Sequence, residues 1–162
     1  MAAPKIDSVE LAKFILAKLG GMPPLKLQKL VYYVEAWHLA IFKESIILDR
    51  FRAWVHGPVS LKIWHVFKSS ASPVFNDVTV SARSARRVVA EVEAVLKPEQ
   101  LDLIKDVLKE YGGLSAYELE ALTHSELPWR EARTGIASDE PSNAVISKAT
   151  MQKFYRNRLY KN

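Results

Sequence analysis

The sequence has 162 residues, of which 49% are hydrophobic and 25% are charged, the balance of one soluble globular domain. It contains no cysteine, which excludes disulfides, thiolate nucleophiles and cysteine-ligated zinc or iron–sulfur centres. No apolar run approaches the roughly 20 residues of a membrane-spanning helix and the first residues lack a signal-peptide pattern, so we expect a cytoplasmic protein with no membrane partner.

Two amphipathic helices are predicted at the start of the chain. Asp7 is a good N-cap for the first helix, and Gly20-Gly21 is a good end for it. The second helix is predicted over residues 24–42, with a proline in its first turn. Its wide apolar stripe predicts a helix at the centre of the core, and we place Trp37 within that core.

The apolar period changes after this second helix. Segments 46–48 and 51–55 flank Asp49-Arg50, which predicts a short β-hairpin with its turn at these two residues. Pro58 is predicted to open a third helix that runs through Phe67. Residues 69–80 indicate a loop, in which interspersed valines leave a third strand open.

The remainder of the chain is again predicted to be helical. Two apolar stripes within residues 84–113, separated by Pro98, indicate two helices, and Ser115 caps a further short helix. After a loop at 134–146, a last helix is predicted at about 147–160. The whole chain is therefore predicted to be a mainly α, compact single-domain helical bundle with a small β-hairpin or ribbon.

Candidate catalytic chemistry is sparse. The only groups suited to metal ligation or acid–base work near neutral pH are His38, His56, His65 and His124. No two of them have the spacing of a helical metal-binding pair, and His124 with Glu126 supplies two ligands, fewer than a metal site needs. The sequence also lacks a nucleophile elbow, a phosphate-binding glycine loop and a dinucleotide fingerprint. We predict no enzyme activity, no metal and no cofactor.

Aromatic residues offer a candidate binding surface instead. Three of the four tryptophans fall within residues 37–64, and tryptophan and arginine are enriched among the residues that dominate protein interfaces. The alternation along the predicted strand places Trp54 on the face opposite Phe51. We predict that the hairpin edge and its corner contact a partner through Arg52, Trp54, His56 and Trp64.

The formal net charge of +5 is concentrated at the C-terminus. All 18 acidic residues and 18 of the 23 basic ones precede residue 141, and the other five basic residues are Lys148, Lys153, Arg156, Arg158 and Lys161. The last helix is predicted to dock through apolar residues and to turn this basic face outward. Attraction of nucleic acid, attraction of an acidic protein surface and simple solvation all remain open.

Three blocks of the sequence resemble a known family. Residues 24–33 have the sequence PLKLQKLVYY and residues 36–40 have AWHLA; residues 53–59 have AWVHGPV; residues 114–119 have LSAYEL and residues 122–133 have LTHSELPWREAR. In this order, over about residues 20–135, they resemble the Panacea-domain (SocA-like or GepA-like) antitoxins. His56 stands where the family usually has a tyrosine.

The resemblance implies an antitoxin that neutralises a cognate protein toxin by direct binding. In one branch of the family the antitoxin is also thought to act as an adaptor that delivers its toxin to the ClpXP protease. The resemblance implies no catalytic residues, and it favours a structural role for Gly57, His124 and Pro128. The alternative from another class is a nucleic-acid-binding regulator that uses the basic C-terminal helix, although the sequence shows no DNA-reading motif.

Overall fold

Helices make up most of the structure. The computed structural model describes residues 2–68 and 76–160, and its elements within these ranges are α1 (Ser8–Leu19), α2 (Pro24–Phe42), β1 (Arg52–Trp54), β2 (Gly57–Val59), α3 (Leu61–Phe67), α4 (Ala82–Val95), α5 (Pro98–Tyr111), α6 (Ala116–Ser125), α7 (Leu127–Ala132) and α8 (Lys148–Leu159). The predicted mainly α bundle with one small β-hairpin is confirmed.

Helix α2 lies at the centre of the bundle. Every residue from 27 to 36 is buried, and α1, α5, α6 and α8 all pack against it. A helix buried on all sides is expected when apolar residues surround its axis, as they do here. Trp37 is only half-buried: it packs against the core, and its indole N–H donates to the Tyr111 hydroxyl at 2.8 Å.

The predicted hairpin turn at Asp49-Arg50 is wrong. The strands β1 and β2 pair with Trp54 opposite Gly57, so the turn is Val55-His56. Gly57 has φ +106°, a conformation that L side chains rarely adopt and that glycine adopts freely. Segment 46–48 is not a strand, because the backbone N–H groups of Ile46 and Ile47 donate to a buried Glu35 oxygen at 2.8 and 3.4 Å instead.

The third helix also begins later than predicted. Pro58 lies in β2, and α3 begins after Ser60, whose hydroxyl accepts a hydrogen bond from the Ile63 N–H at 3.2 Å. Ser60 is further held by Gln28 of α2, which accepts from the Ser60 N–H at 2.9 Å and donates to its carbonyl at 3.0 Å. A buried cap with two side-chain bonds fixes this helix start better than the proline does.

The loop predicted at 69–80 lies partly outside the described residues, which resume at 76. Val78 forms an isolated antiparallel bridge with Met22, with backbone hydrogen bonds of 2.8 and 3.2 Å in the two directions. Within the described part of this loop, the third strand left open by the sequence is therefore reduced to one bridge.

Helix α8 docks on α2 through Met151 and Tyr155, both fully buried, as its apolar spacing predicted. Its first residue, Lys148, does not point outward. The Lys148 ammonium donates to Glu35 at 2.6 Å, to the Ile47 carbonyl at 3.1 Å and to the Ser45 hydroxyl at 3.2 Å. Lys148 is therefore part of the fold, and its assignment to an outward basic face is wrong.

We expect Lys148→Met to lower the free energy of unfolding by about 2–3 kcal/mol, because it leaves the buried Glu35 carboxylate without its cation. Lys153→Met, on the exposed side of the same helix, is the matched control and should change stability by less than about 0.5 kcal/mol. Urea unfolding of both variants measures the difference. Equal midpoints would show that the Glu35–Lys148 pair does not stabilise the fold.

Candidate functional site

Residues of the third sequence block, 122–133, hydrogen-bond to the backbone of the β-hairpin. The indole N–H of Trp129 donates to the Trp54 carbonyl at 2.8 Å, and the Arg133 guanidinium donates to the Ala53 carbonyl at 2.7 Å. The Ala53 N–H in turn donates to the Ala144 carbonyl at 2.8 Å. The strand is thus bonded along its length, which gives its side chains a fixed position.

The first and third blocks meet at a buried carboxylate. Glu126 is 3% exposed, and one of its oxygens accepts hydrogen bonds from the hydroxyls of Tyr33 at 2.7 Å and Tyr155 at 2.8 Å. The Tyr155 hydroxyl also lies 3.1 Å from that of Tyr32. Burial raises the pKa of Glu126, and it raises the pKa of both bonded tyrosines, so the two phenols stay protonated and donate to the carboxyl oxygen.

All three blocks converge on Lys29. This side chain is 0% exposed, and its ammonium nitrogen has no hydrogen bond to any of the described residues. A Cβ atom on Gly57 would lie 2.6 Å from Lys29 Cε and 3.0 Å from the Thr123 hydroxyl. Burial lowers the pKa of Lys29 to about 7, opposed only by the Glu120 carboxylate. Lys29 is therefore a buried lysine beneath the hairpin whose side chain is partly deprotonated near neutral pH.

The corner beside Lys29 is closed by α6 and α7. The Thr123 hydroxyl donates to the Glu120 carbonyl at 2.9 Å. The His124 ring stacks on Trp129 with centroids 3.8 Å apart, and burial lowers the pKa of His124. Pro128 is buried in the first turn of α7. These contacts are structural ones.

The surface of the corner contains the residues predicted to bind a partner. Trp54 and Trp64 meet edge to face, with ring centroids 5.2 Å apart. Asn143 receives a bond from each of two neighbours: the Trp54 indole donates to its side-chain oxygen at 3.1 Å, and the Arg52 guanidinium donates to its carbonyl at 3.2 Å. The His56 side chain is 60% exposed and bonds Glu120. The four predicted residues therefore share one face, which we call the hairpin face.

Two open recesses flank this face. An apolar recess of about 420 Å³ lies against Trp54, Val55, His56, Pro141, Ser142 and Asn143. A polar recess of about 310 Å³ lies against Asp49, Arg50, Arg52, Ser60, Leu61 and Lys62. Asn143 lines the first recess and Arg52 lines the second, so the Arg52–Asn143 hydrogen bond links the linings of the two recesses.

A family model described as "Antitoxin SocA-like, Panacea domain" matches residues 27–130. This is more than half of the 162 residues. The chain belongs to the SocA-like Panacea-domain antitoxin family. Searches of curated proteins and of solved structures found no match. The resemblance predicted from the three blocks is confirmed, and the matched range contains Lys29, Gly57, Thr123 and Glu126.

The basic face predicted for the C-terminus of this Panacea protein is not a single face. Arg156 donates to the Ala40 carbonyl at 3.0 Å, and Lys148 is bonded to Glu35 as described. Lys153 and Arg158 are exposed, and Arg158 lies over the Phe154 ring, 4.7 Å from its centroid. Lys161 lies outside the described residues. Burial and backbone bonding thus turn two of the five predicted cations toward the protein.

Histidines do not assemble into a reactive site. His38 is buried, with one ring nitrogen 2.6 Å from the Glu44 carbonyl and the other 3.0 Å from the Gln100 amide nitrogen. Among residues 2–68 and 76–160, no group of three or more His, Asp or Glu side chains is placed to hold a metal ion. In the same ranges, no helix is long and apolar enough to cross a membrane.

The first prediction from this site concerns pH. Because the folded pKa of Lys29 is about 7 and its ordinary value is 10.5, the unfolded chain binds more protons between these pH values. The cost of burying this lysine therefore falls as the pH rises, and the free energy of unfolding increases by about 1.5 kcal/mol from pH 7 to pH 8.5. Lys29→Met should remove the rise in denaturant titrations, whereas Lys153→Met should keep it. An unchanged slope in Lys29→Met would contradict the assignment.

Because Gly57 lies close to Lys29, we also predict that substitutions at these two positions affect stability jointly. Gly57→Ala should cost about 2 kcal/mol or more, since it combines backbone strain with a clash at Lys29 Cε. In a Lys29→Ala background the clash at Cε is absent, while the strain and the 3.0 Å approach to the Thr123 hydroxyl remain, so the added cost should fall by about 1 kcal/mol. Gly113→Ala is the control, because a Cβ there meets open space. Strictly additive costs in this double-mutant cycle would show that the two positions do not interact.

Proposed function

We propose that this Panacea-domain protein neutralises a cognate protein toxin by direct, non-catalytic binding, and that the hairpin face makes the contact. Family membership supports the antitoxin role and a toxin as partner. The observation that carries the choice of surface is the partly exposed ring pair formed by Trp54 of the hairpin and Trp64 of α3, close to Arg52 and His56.

The chemistry of this face favours binding over catalysis. Tryptophan buries a large area for little loss of conformational freedom, and tryptophan and arginine are both enriched among the residues that dominate the energy of protein interfaces. The Asn143 side chain and carbonyl hold Trp54 and Arg52 in place, so a partner meets side chains that are already ordered. Such preorganisation strengthens binding without requiring a reactive group.

Delivery of the toxin to the ClpXP protease is a further part of this proposal. An adaptor must hold two proteins at once and therefore needs a second surface. A groove of about 530 Å³ between α1, α4 and α5 offers one, and it is lined by apolar residues such as Leu19 and Leu101 and by charged residues of both signs, among them Lys18, Lys105 and Asp102. This groove lies on different elements from the hairpin face. The proposal places both interactions in the cytoplasm.

The nucleic-acid alternative is less well supported by the geometry. Non-specific DNA affinity grows with the number of cations that reach phosphates. Lys148 and Arg156 are engaged with the protein itself, which leaves Lys153 and Arg158 as the exposed cations of the described part of α8. We therefore favour a protein partner.

Co-expression with the neighbouring open reading frame tests the proposal directly. We expect rescue of growth from a toxic neighbour, a complex that survives co-purification, and no turnover by the isolated antitoxin. Rescue that persists without any physical complex, judged by pull-down and calorimetry, would refute direct binding.

Alanine substitution tests the surface. Trp54→Ala and Trp64→Ala should each weaken the complex by about 2 kcal/mol or more, roughly thirtyfold in Kd, with Arg52→Ala and His56→Ala acting in the same direction. The melting temperature should change little, because these side chains are partly exposed. Tyr117→Ala, on an exposed site of α6, is the control. If the tryptophan variants lose affinity only by unfolding, the surface is wrongly assigned.

A further inference from the structure

The two recesses beside the hairpin face differ in chemistry although they adjoin. The first is mostly apolar, with the Trp54 ring and Pro141 among its walls. The second is lined by the cationic side chains Arg50, Arg52 and Lys62 together with Asp49. A ligand that spans the Arg52–Asn143 bond meets an apolar surface on one side and a charged one on the other.

The charged recess has two arginines without a carboxylate partner. Arg50 is exposed and forms no ion pair with the described residues, and Arg52 bonds a carbonyl. Lys62 is already paired with Asp7. Asp49 accepts a bond from the Ser60 hydroxyl at 2.6 Å. Three cations therefore face two acids here, and the excess charge has the same sign as the net charge of the chain, +5.

We propose that these adjoining recesses bind an acidic segment of a protein partner, with a carboxylate between Arg50 and Arg52 and a neighbouring large apolar side chain against Trp54 and Pro141. The proposal rests on the proposed function, since it names the chemistry of the partner at the hairpin face. Guanidinium groups bind carboxylates through two parallel hydrogen bonds, which gives orientation as well as attraction. Apolar contact beside that bond excludes water and strengthens it.

The same geometry fits nucleic acid less well. Bases stack on exposed aromatic faces, one after another along a strand. Trp54 and Trp64 instead meet at 73°, so that an edge of one ring covers a face of the other. The Asp49 carboxylate also lies in the charged recess, so a continuous chain of phosphates that passes over it meets repulsion.

Tryptophan side-chain signals of the full-length, ¹⁵N-labelled protein provide the test. The probes are two short blocked peptides, acetyl-Gly-Asp-Asp-Phe-Gly-amide and its isosteric Asn-Asn counterpart, and a single-stranded thymidine oligonucleotide. We expect the acidic peptide to shift the indole N–H signals of Trp54 and Trp64 and to leave that of Trp37, which is bonded to Tyr111, unchanged. The neutral peptide should bind about fivefold more weakly, the effect expected for partly exposed charge pairs.

Substitutions distinguish the effect of losing the arginine charges from the effect of unfolding. The double variant Arg50→Gln, Arg52→Gln should abolish the preference for the acidic peptide. If this variant folds poorly, Arg50→Gln alone takes its place, because Arg50 is exposed, and it should reduce the preference. Arg86→Gln, at an exposed arginine of α4, is the control and should keep the preference. Equal binding of the two peptides, equal shifts at Trp37, or a larger response to the oligonucleotide would overturn the proposal.

The outcome is distinct from that of the proposed function. If the wild type binds the acidic peptide as expected but neither rescues growth nor forms a complex, the antitoxin role is refuted and the recess chemistry stands. If it rescues growth by forming a complex while the peptides bind alike, the recess chemistry alone is refuted.

Discussion

The rest of this structure depends on one constraint: polar side chains of a helix that is buried on all sides need hydrogen-bond partners. Helix α2 brings Gln28, Lys29, Glu35 and His38 into the core together with its apolar residues. A polar group without a partner in such a place costs about 1–3 kcal/mol. The elements around α2 are therefore fixed by the bonds they supply as well as by apolar contact.

Three side chains of α2, Gln28, Tyr33 and Glu35, each fix a different part of the chain. Gln28 bonds the backbone of Ser60 in both directions and so sets where α3 begins. Glu35 holds the segment at 46–47 and the first residue of α8. Tyr33 reaches Glu126 at the junction of α6 and α7. Positions far apart in sequence are thus specified by hydrogen bonds that start on one helix.

Local sequence signals predicted the helices well, because caps and apolar periodicity act over a few residues. Ser115 caps α6 as expected, and α8 begins directly after Ser147, close to its predicted start. The hairpin register was not predictable in the same way: segment 46–48 has the composition of a strand, yet its N–H groups bond to Glu35, 11 or 12 residues earlier. Lys148 was misassigned for the same reason, since its partner Glu35 is 113 residues away.

The candidate site was predictable in part. Alternation along β1 placed Trp54 opposite the buried Phe51 and Ala53, and the structure confirms that arrangement. Asn143, which orders Trp54 and Arg52, lies in a loop with no periodic signal and could not be found from sequence. Nor could the burial of Lys29, because a lysine within an amphipathic helix is ordinarily expected at the surface.

The contact between Gly57 and Lys29 also constrains the order in which this sequence can change over generations. A larger residue at position 57 meets Lys29 Cε at 2.6 Å, so it is disfavoured while the lysine is present. A shorter residue at position 29 removes that obstacle, and the strain of a positive φ and the 3.0 Å approach to the Thr123 hydroxyl remain. Neutral drift can therefore pass through position 29 first and position 57 second, whereas the reverse route crosses a less stable intermediate. The substitutions that are tolerated at these two positions, 28 residues apart, therefore depend on each other.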